Sequence, residues 1–424
     1  MATPDFVRET LDDLHARNLY RRLVAVGSAA GPRVDIGGRR VLQFASNNYL
    51  GLAADPRVRE AATRAIERWG WGAGASRLLA GHTDAHAALE ADLAAFKGTE
   101  AALVFPSGYM ANLGVMTALV GRGETVVCDR ENHASIYDAI RLSGAELARY
   151  PHGDTGAAAE LLGASSPERS RTLLVTDTVF SMGGDLAPLA ELAEACAASR
   201  AMLVVDEAHA LGVLGPTGAG LAEEMGAVPF SRRCEKGTVP ISSKKGTAPV
   251  SERPETGAAP FFSGAITASV GTLSKALGGV GGFVAASRDV IELLVNRARP
   301  FVYTTALPAA ACEAARAALA ILRSEPERRT RLLALADRLR RELRERDFDC
   351  GRSETPIIPV IVGEPARALA MAGALLARGI FCPAIRPPTV PPGTSRLRIS
   401  LTAEHTEEDI ARLVQSLTEA RDKK

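Results

Sequence analysis

No run of eighteen apolar residues occurs in this 424-residue sequence, so no segment reads as a membrane-spanning helix. An excess of charge of either sign is missing as well: 50 Lys and Arg stand against 49 Asp and Glu, for a formal net charge of +1. That balance excludes the basic field of a nucleic-acid binder. Cysteine is scarce, with six residues at Cys128, Cys196, Cys234, Cys312, Cys350 and Cys382. None forms a Cys-x-x-Cys pair, which argues against zinc-site spacing and a disulfide framework and leaves reduced thiols in a cytoplasm as the expectation. The stretch Met1 to Leu14 carries Asp5, Glu9, Asp12 and Asp13 and has no apolar core, so a secretory signal peptide is not expected. There is no internal repeat.

What is present is the balance of a globular protein, 46% apolar and 23% charged. The length suits two domains, with a core large enough to need no disulfide or metal. A helical pattern runs over Ala2–Val26, and a β-ribbon over Val34–Phe44 turns at Gly37-Gly38. From residue 57 helices (Arg57–Trp69, Ala85–Phe96, Tyr109–Leu119) alternate with short apolar runs of strand length. Those runs are Ala101–Phe105, Thr125–Cys128, Thr172–Thr176, Met202–Val205, Ala265–Val270 and Gly282–Ala285. Buried runs separated by helices predict an α/β domain with a mostly parallel sheet. Helices after Pro308 and over Arg328–Arg346 follow. Strands Ile357–Val362 and Leu397–Leu401 with helices Ala366–Arg378 and Glu407–Leu417 predict a smaller α+β domain. The expected division is an N-terminal helix and ribbon over 1–56, a large α/β domain over 57–300 and a small α+β domain over 301–424. Residues 227–262, rich in Pro, Ser, Thr, Gly, Lys and Arg and without periodicity, read as a flexible insertion.

Chemistry gathers at the predicted strand ends. The run Ala265–Val270 leads into Gly271-Thr-Leu-Ser-Lys275-Ala-Leu-Gly-Gly279, which puts Lys275 in a glycine-rich turn, a setting for a Schiff-base lysine or equally for a solvated loop lysine. Met202–Val205 delivers Asp206 at its carboxyl end, where α/β folds place ligands, with His209 three residues on. A carboxylate there suits a protonated pyridine nitrogen; a capping Asp and a core His are the plain alternative. Ala101–Phe105 is followed by Pro106-Ser107-Gly108-Tyr109, where Ser107 is a plausible N-cap and free backbone N–H groups suit a phosphate, though an ordinary turn has the same composition. His133 and Ser181 follow two further strand ends.

Taken together these motifs resemble the α-oxoamine synthases, fold-type I pyridoxal-phosphate enzymes, over about Leu19 to Leu417. The resemblance rests on Ser46-Asn-Asn-Tyr-Leu-Gly-Leu52, Gly74-Ala-Ser-Arg77, Ser107-Gly-Tyr109, Asp206-Glu-Ala-His209, Gly271-Thr-Leu-Ser-Lys275 and Tyr303-Thr-Thr305. It implies that Lys275 forms the Schiff base with pyridoxal 5'-phosphate and acts as base, that Asp206 pairs with the pyridine nitrogen, and that His133 stacks on the ring. It further implies that Ser181 and His209 bond near the ring oxygen and that Ser107, Gly108, Tyr109 and Thr272 hold the phosphate. Thr304 or Thr305 would reach the phosphate of a second subunit, which implies a homodimer. Asn47 and Arg398 would hold the amino-acid carboxylate, while Arg21 and Thr389 would contact the acyl substrate. The string Arg386-Pro-Pro-Thr-Val-Pro391 looks most like the member that condenses L-alanine with a pimeloyl thioester of coenzyme A or an acyl-carrier protein. A glycine-using sibling is the alternative. Non-catalytic members typically lack the lysine that this chain keeps.

Overall fold

The computed structural model describes residues 4–164, 171–224 and 265–422. The predicted insertion at 227–262 lies outside the described residues.

The first helix, α1 (Asp5–Ala16), is shorter than the Ala2–Val26 pattern suggests. It ends because Asn18 turns into the left-handed region at φ 56°, which Asn tolerates better than most residues. Nothing on α1 is buried, so its apolar spacing had no core to extend along. The ribbon forms as expected from β1 (Arg33–Ile36) and β2 (Arg39–Gln43).

Helices α2 (Pro56–Trp69) and α3 (Asp84–Lys97) lead into the central sheet. Among the described residues it has seven strands: β3 (Ala101–Phe105), β4 (Thr125–Asp129), β5 (Glu146–Tyr150), β6 (Thr172–Asp177), β7 (Met202–Asp206), β8 (Ala268–Thr272) and β9 (Gly282–Ala286). Their order is β3-β9-β8-β7-β6-β4-β5. Only β9 runs against its neighbours, so the sheet is mostly parallel. Both faces are covered, as a parallel sheet requires. In β3, Leu103 and Phe105 pack with α4 (Gly108–Leu119) and α5 (Ala134–Ser143) on one face, and Ala102 and Val104 join the core on the other. Each fully buried Val or Leu on these strands stabilises the sheet by roughly 1.5–3 kcal/mol. The strand missing from the sequence pattern is β5, an edge strand whose Glu146 and Arg149 face solvent.

Two three-stranded sheets are the others among the described residues. β10 (Ile357–Gly363) and β13 (Ser395–Ser400) pair antiparallel, with β12 (Ala384–Ile385) at the edge. β11 (Ile380–Phe381) adds to the N-terminal ribbon beside β2, so the two ends of the chain share a sheet. This union carries the segment Phe44–Ala53 across the carboxyl ends of β7 and β8. A Cβ on Gly278, at φ +66°, would lie 2.3 Å from the Ala53 nitrogen, so the turn after Lys275 and the Ser46–Leu52 motif fit together only because residue 278 is glycine.

Candidate active site

Each polar residue sits where an apolar strand runs out. β7 ends at Asp206 and Glu207, which diverge. Glu207 turns into the core, where its carboxylate takes the buried Lys97 amine and the Ser269 hydroxyl. Asp206 stays at the sheet end, with Oδ1 accepting from the Ala208 N–H at 2.8 Å and Oδ2 from Asn112 Nδ2 at 2.7 Å. The carboxylate is therefore held in one orientation.

β8 ends at Thr272 rather than Val270, and Lys275 lies three residues on. Lys275 is half-buried, and its amine makes no hydrogen bond among the described residues. Burial pushes it from the usual lysine value down to about 8, against Asp206 and Asp177, with Arg398 adding to the shift. A lysine left unpaired and partly neutral near pH 7 is a nucleophile waiting for an electrophile.

Lys275 lines a cavity of about 250 Å³ together with Asn47, His133, Ser181, His209 and Arg398. Expected residues from widely separated stretches of chain thus share one cavity. Arg398 donates from Nε to the Ser181 carbonyl at 2.5 Å and from Nη1 to Asn47 Oδ1 at 3.1 Å and Ser400 Oγ at 2.6 Å. His209 Nδ1 lies 2.6 Å from the Tyr49 hydroxyl. Burial drives His209 well below the usual histidine value, and Lys275, Arg398 and His133 add to it, so its ring is neutral.

Behind Ser181, His152 bridges Asp129 at 3.0 Å and Asp185 at 2.7 Å. Burial alone would lower its pKa, but hydrogen bonds to these two carboxylates raise it to about 10, and the cation ties the Ser181 loop to the end of β4. Nothing in the sequence marks Asn112, Ser135 or His152, and Tyr49 is marked only by the Ser46–Leu52 motif.

The residues expected to cradle a phosphate lie at the start of α4. The Ser107 hydroxyl caps this helix by accepting from the Met110 N–H at 3.2 Å. The Gly108 and Tyr109 N–H groups are left with no acceptor among the described residues. A Cβ on Gly282 would lie 2.5 Å from the Gly108 backbone, so glycine at 282 lets β9 pack directly beneath the cradle. The Tyr109 hydroxyl faces away and donates to Asp138 at 2.6 Å. The Thr272 hydroxyl is spent on the Gly281 carbonyl at 2.9 Å.

The remaining expected residues lie outside the cavity wall. Arg21 donates to Thr389 Oγ1 at 3.3 Å across 368 positions of sequence. Thr305 bridges Ser76, beside Thr304 on an exposed face.

A family model for aminotransferase class I and II matches residues 39–417. The chain belongs to that family. Within it, 8-amino-7-oxononanoate synthase of Anaeromyxobacter dehalogenans strain 2CP-1 is 51% identical over 401 residues, covering 95% of this chain and 92% of that one. The protein of the same name from Geobacter sulfurreducens is 46% identical over 409 residues, covering 96% and 95%. Among solved structures, serine palmitoyltransferase from S. paucimobilis with a bound PLP-myriocin aldimine is similar at TM-score 0.85 and 31% identity, covering 98% of this chain and 96% of that one. An 8-amino-7-oxononanoate synthase from Francisella tularensis is similar at TM-score 0.71 and 26% identity, covering 89% and 97%. The α-oxoamine synthase resemblance is thereby established.

The residues present fit pyridoxal phosphate. They supply an unpaired lysine amine, a strand-end carboxylate for the ring nitrogen and free helix N-terminal N–H groups for the phosphate. The lowered lysine pKa makes loading pH-dependent. Below about 8 the ammonium cannot attack; above it the amine can. In cofactor-free protein, the initial rate of forming a borohydride-fixable adduct with pyridoxal phosphate should rise with pH and level off above about 8. An ordinary lysine would keep gaining rate to about 10.4, so a rate still climbing at about pH 10 would refute the shifted lysine.

Proposed function

We infer that this chain catalyses the pyridoxal-phosphate-dependent condensation of L-alanine with a pimeloyl thioester. The products are 8-amino-7-oxononanoate, CO2 and the free thiol, a step of biotin biosynthesis. The chemistry rests on the unpaired Lys275 amine in one cavity with Arg398, beside the fixed Asp206 carboxylate. The substrates rest on sequence identity of up to 51% with relatives named 8-amino-7-oxononanoate synthase. The backbone likeness to serine palmitoyltransferase does not outweigh that identity, because siblings share a fold while differing in substrate.

When bound, pyridoxal phosphate supplies the electron sink for negative charge at the alanine Cα. Lys275 Nζ would hold it covalently and would take the Cα proton of the bound alanine. General-base catalysis of this kind contributes on the order of 10²–10⁴-fold. Asp206 would keep the ring nitrogen protonated. Ser181 and neutral His209 would bond the ring oxygen, and His133 would cover one ring face. Arg398 and Asn47 would hold the alanine carboxylate until it leaves as CO2. Arg21 and Thr389 flank the acyl chain, presented by the stiff Pro387-Pro388 stretch, where ordering costs little. Room for one methyl beside Cα selects alanine over glycine by only about 1–3 kcal/mol, so some glycine turnover is expected. The test is kcat/KM for alanine with pimeloyl thioester, on coenzyme A and on acyl-carrier protein, against glycine with acetyl- or succinyl-coenzyme A. A glycine pair ahead by about tenfold or more would replace the substrate assignment and leave the cofactor chemistry standing.

The active unit is a homodimer in this reading. Around the Ser76–Thr305 bridge, Trp71, Leu78, Leu79 and Tyr303 are exposed, an apolar patch that suits a second copy. Thr304 or Thr305 would then reach the partner's phosphate. Sedimentation should give a dimer, and Leu79→Asp should shift it to monomer and weaken cofactor binding. A Leu79→Asp protein that remains a fully loaded dimer would place the interface elsewhere. The five described cysteines are buried and unpaired, which supports a reducing cytoplasm. No described helix is long and apolar enough to cross a membrane.

A further inference from the structure

Between Asp206 and His133, two groups without an assigned role share one line of hydrogen bonds. Asn112 sits on α4 one turn beyond the phosphate cradle, and its side chain is buried. Its Nδ2 donates to Asp206 Oδ2 at 2.7 Å and to Ser135 Oγ at 3.0 Å. This orientation is dictated by chemistry, because a carboxylate accepts only donors and a flipped amide would set Oδ1 against Asp206. The buried Asn112 Oδ1 is in consequence left with no partner among the described residues. Both Nδ2 protons are spent.

Ser135 Oγ therefore accepts from Asn112, and its own proton is free to go elsewhere. The remaining neighbour of Ser135 Oγ is His133 Nδ1, at 2.7 Å. The Ser135 backbone N–H also points to that nitrogen, at 3.3 Å, since His133 caps α5 with its own ring. The backbone N–H can only donate, so Nδ1 carries the lone pair and takes the Ser135 hydroxyl proton as well. A neutral imidazole with a bare Nδ1 holds its proton on Nε2. Nε2 has no partner among the described residues, and the ring lines the cavity.

We propose that Asn112 and Ser135 are positioning residues that lock His133 in the neutral form with its proton on Nε2, in register with the Asp206 carboxylate. One ordered chain, Asp206–Asn112–Ser135–His133, then fixes the group at the ring nitrogen and the group over the ring face together. The carboxylate sets the direction of the Asp206–Asn112–Ser135 links, and the Ser135 backbone N–H, which can only donate, sets that of the last link to His133 Nδ1. The proposal rests on the ring-and-carboxylate reading of the site for its importance in catalysis, but the hydrogen-bond chain itself needs no cofactor.

The test is ¹⁵N-histidine NMR of the purified protein before and after pyridoxal phosphate is added, with His133 assigned by loss of its signals in His133→Asn. The parent should show His133 as a single tautomer with bare Nδ1 in both states. Ser135→Ala and Asn112→Ala should each introduce a population protonated at Nδ1, and Ser135→Thr, which keeps the hydroxyl, should restore the parent pattern. Each Ala variant should lower kcat about tenfold, the worth of one buried hydrogen bond, with KM for alanine little changed. The double variant should be no worse than about tenfold, because the links act in series. If Asn112→Ala does not fold, Asn112→Ser is read by the same signal. Unchanged His133 nitrogens in Ser135→Ala would overturn the proposal, as would losses that multiply to about a hundredfold in the double variant. Failure of borohydride to fix the cofactor on Lys275 would instead refute the cofactor reading, while the spectrum of the cofactor-free protein still reports on the chain.

Discussion

In Lys275→Ala, turnover of alanine should fall by at least about 10²–10⁴-fold, and borohydride should no longer fix pyridoxal phosphate to the chain. Three features carry this expectation. Lys275 is the lysine of the cavity, and it makes no hydrogen bond among the described residues. Burial holds it near 8, where an appreciable fraction is amine at neutral pH. A nearby alternative cannot stand in: Lys97 is buried behind β7, with its amine tied to Glu207 and the Ala219 carbonyl. The phosphate cradle and Asp206 do not depend on Lys275, so the variant should still bind the cofactor without covalent attachment. Mass spectrometry of the reduced protein decides the matter. An adduct on another lysine, with activity retained, would overturn the assignment.

How far the sequence reaches follows from which residues advertise their position locally. The central strands are continuous apolar runs, and each polar residue that ends one is marked by the contrast. Asp206 after Met202–Val205 and Lys275 after the β8 run are legible for that reason. The edge strand β5 has no such run, because two of its five residues are charged and only Tyr150 is fully buried. The end of α1 is invisible for the opposite reason: apolar spacing continues to Val26, but no core lies beneath it. Asn112, Ser135 and His152 look like ordinary helix and loop residues. Their meaning comes from pairings across 23 to 94 positions of chain, such as Asn112 with Ser135 and with Asp206, and only the fold creates them. The cradle is half legible. The turn composition gives away the free N–H groups of Gly108 and Tyr109, while the commitment of the Tyr109 hydroxyl to Asp138 needs the packing of α4 on α5.

Asp206→Asn should cost on the order of 10²–10³-fold in kcat with the fold intact, the usual loss when one preorganised electrostatic contact to developing charge is removed. The substitution keeps the size and deletes the charge. The new amide oxygen can still accept from the Ala208 N–H. Its NH2 group would face Asn112, whose amide can flip to offer the oxygen that has no partner in the parent, so the strand end should hold its shape. In the proposed role, what disappears is the anion that would keep the ring nitrogen protonated, and with it the sink for the Cα electrons. One neighbour could compensate. Asp177 lies directly across the ladder from Asp206, and burial together with the Asp206 charge pushes its carboxyl well above the usual range. Removing that charge relaxes the repulsion and lets Asp177 ionise more readily. Its Oδ2, however, already accepts the His133 backbone N–H at 2.7 Å, which fixes it toward α5. Asp177 should therefore fail to replace Asp206. Near-normal turnover in Asp206→Asn would contradict this, and the Asp206→Asn/Asp177→Asn double variant would then identify the substitute. If the double variant loses the activity that the single one kept, the ring nitrogen had been served by Asp177. If it does not, neither carboxylate sets the ring electronics.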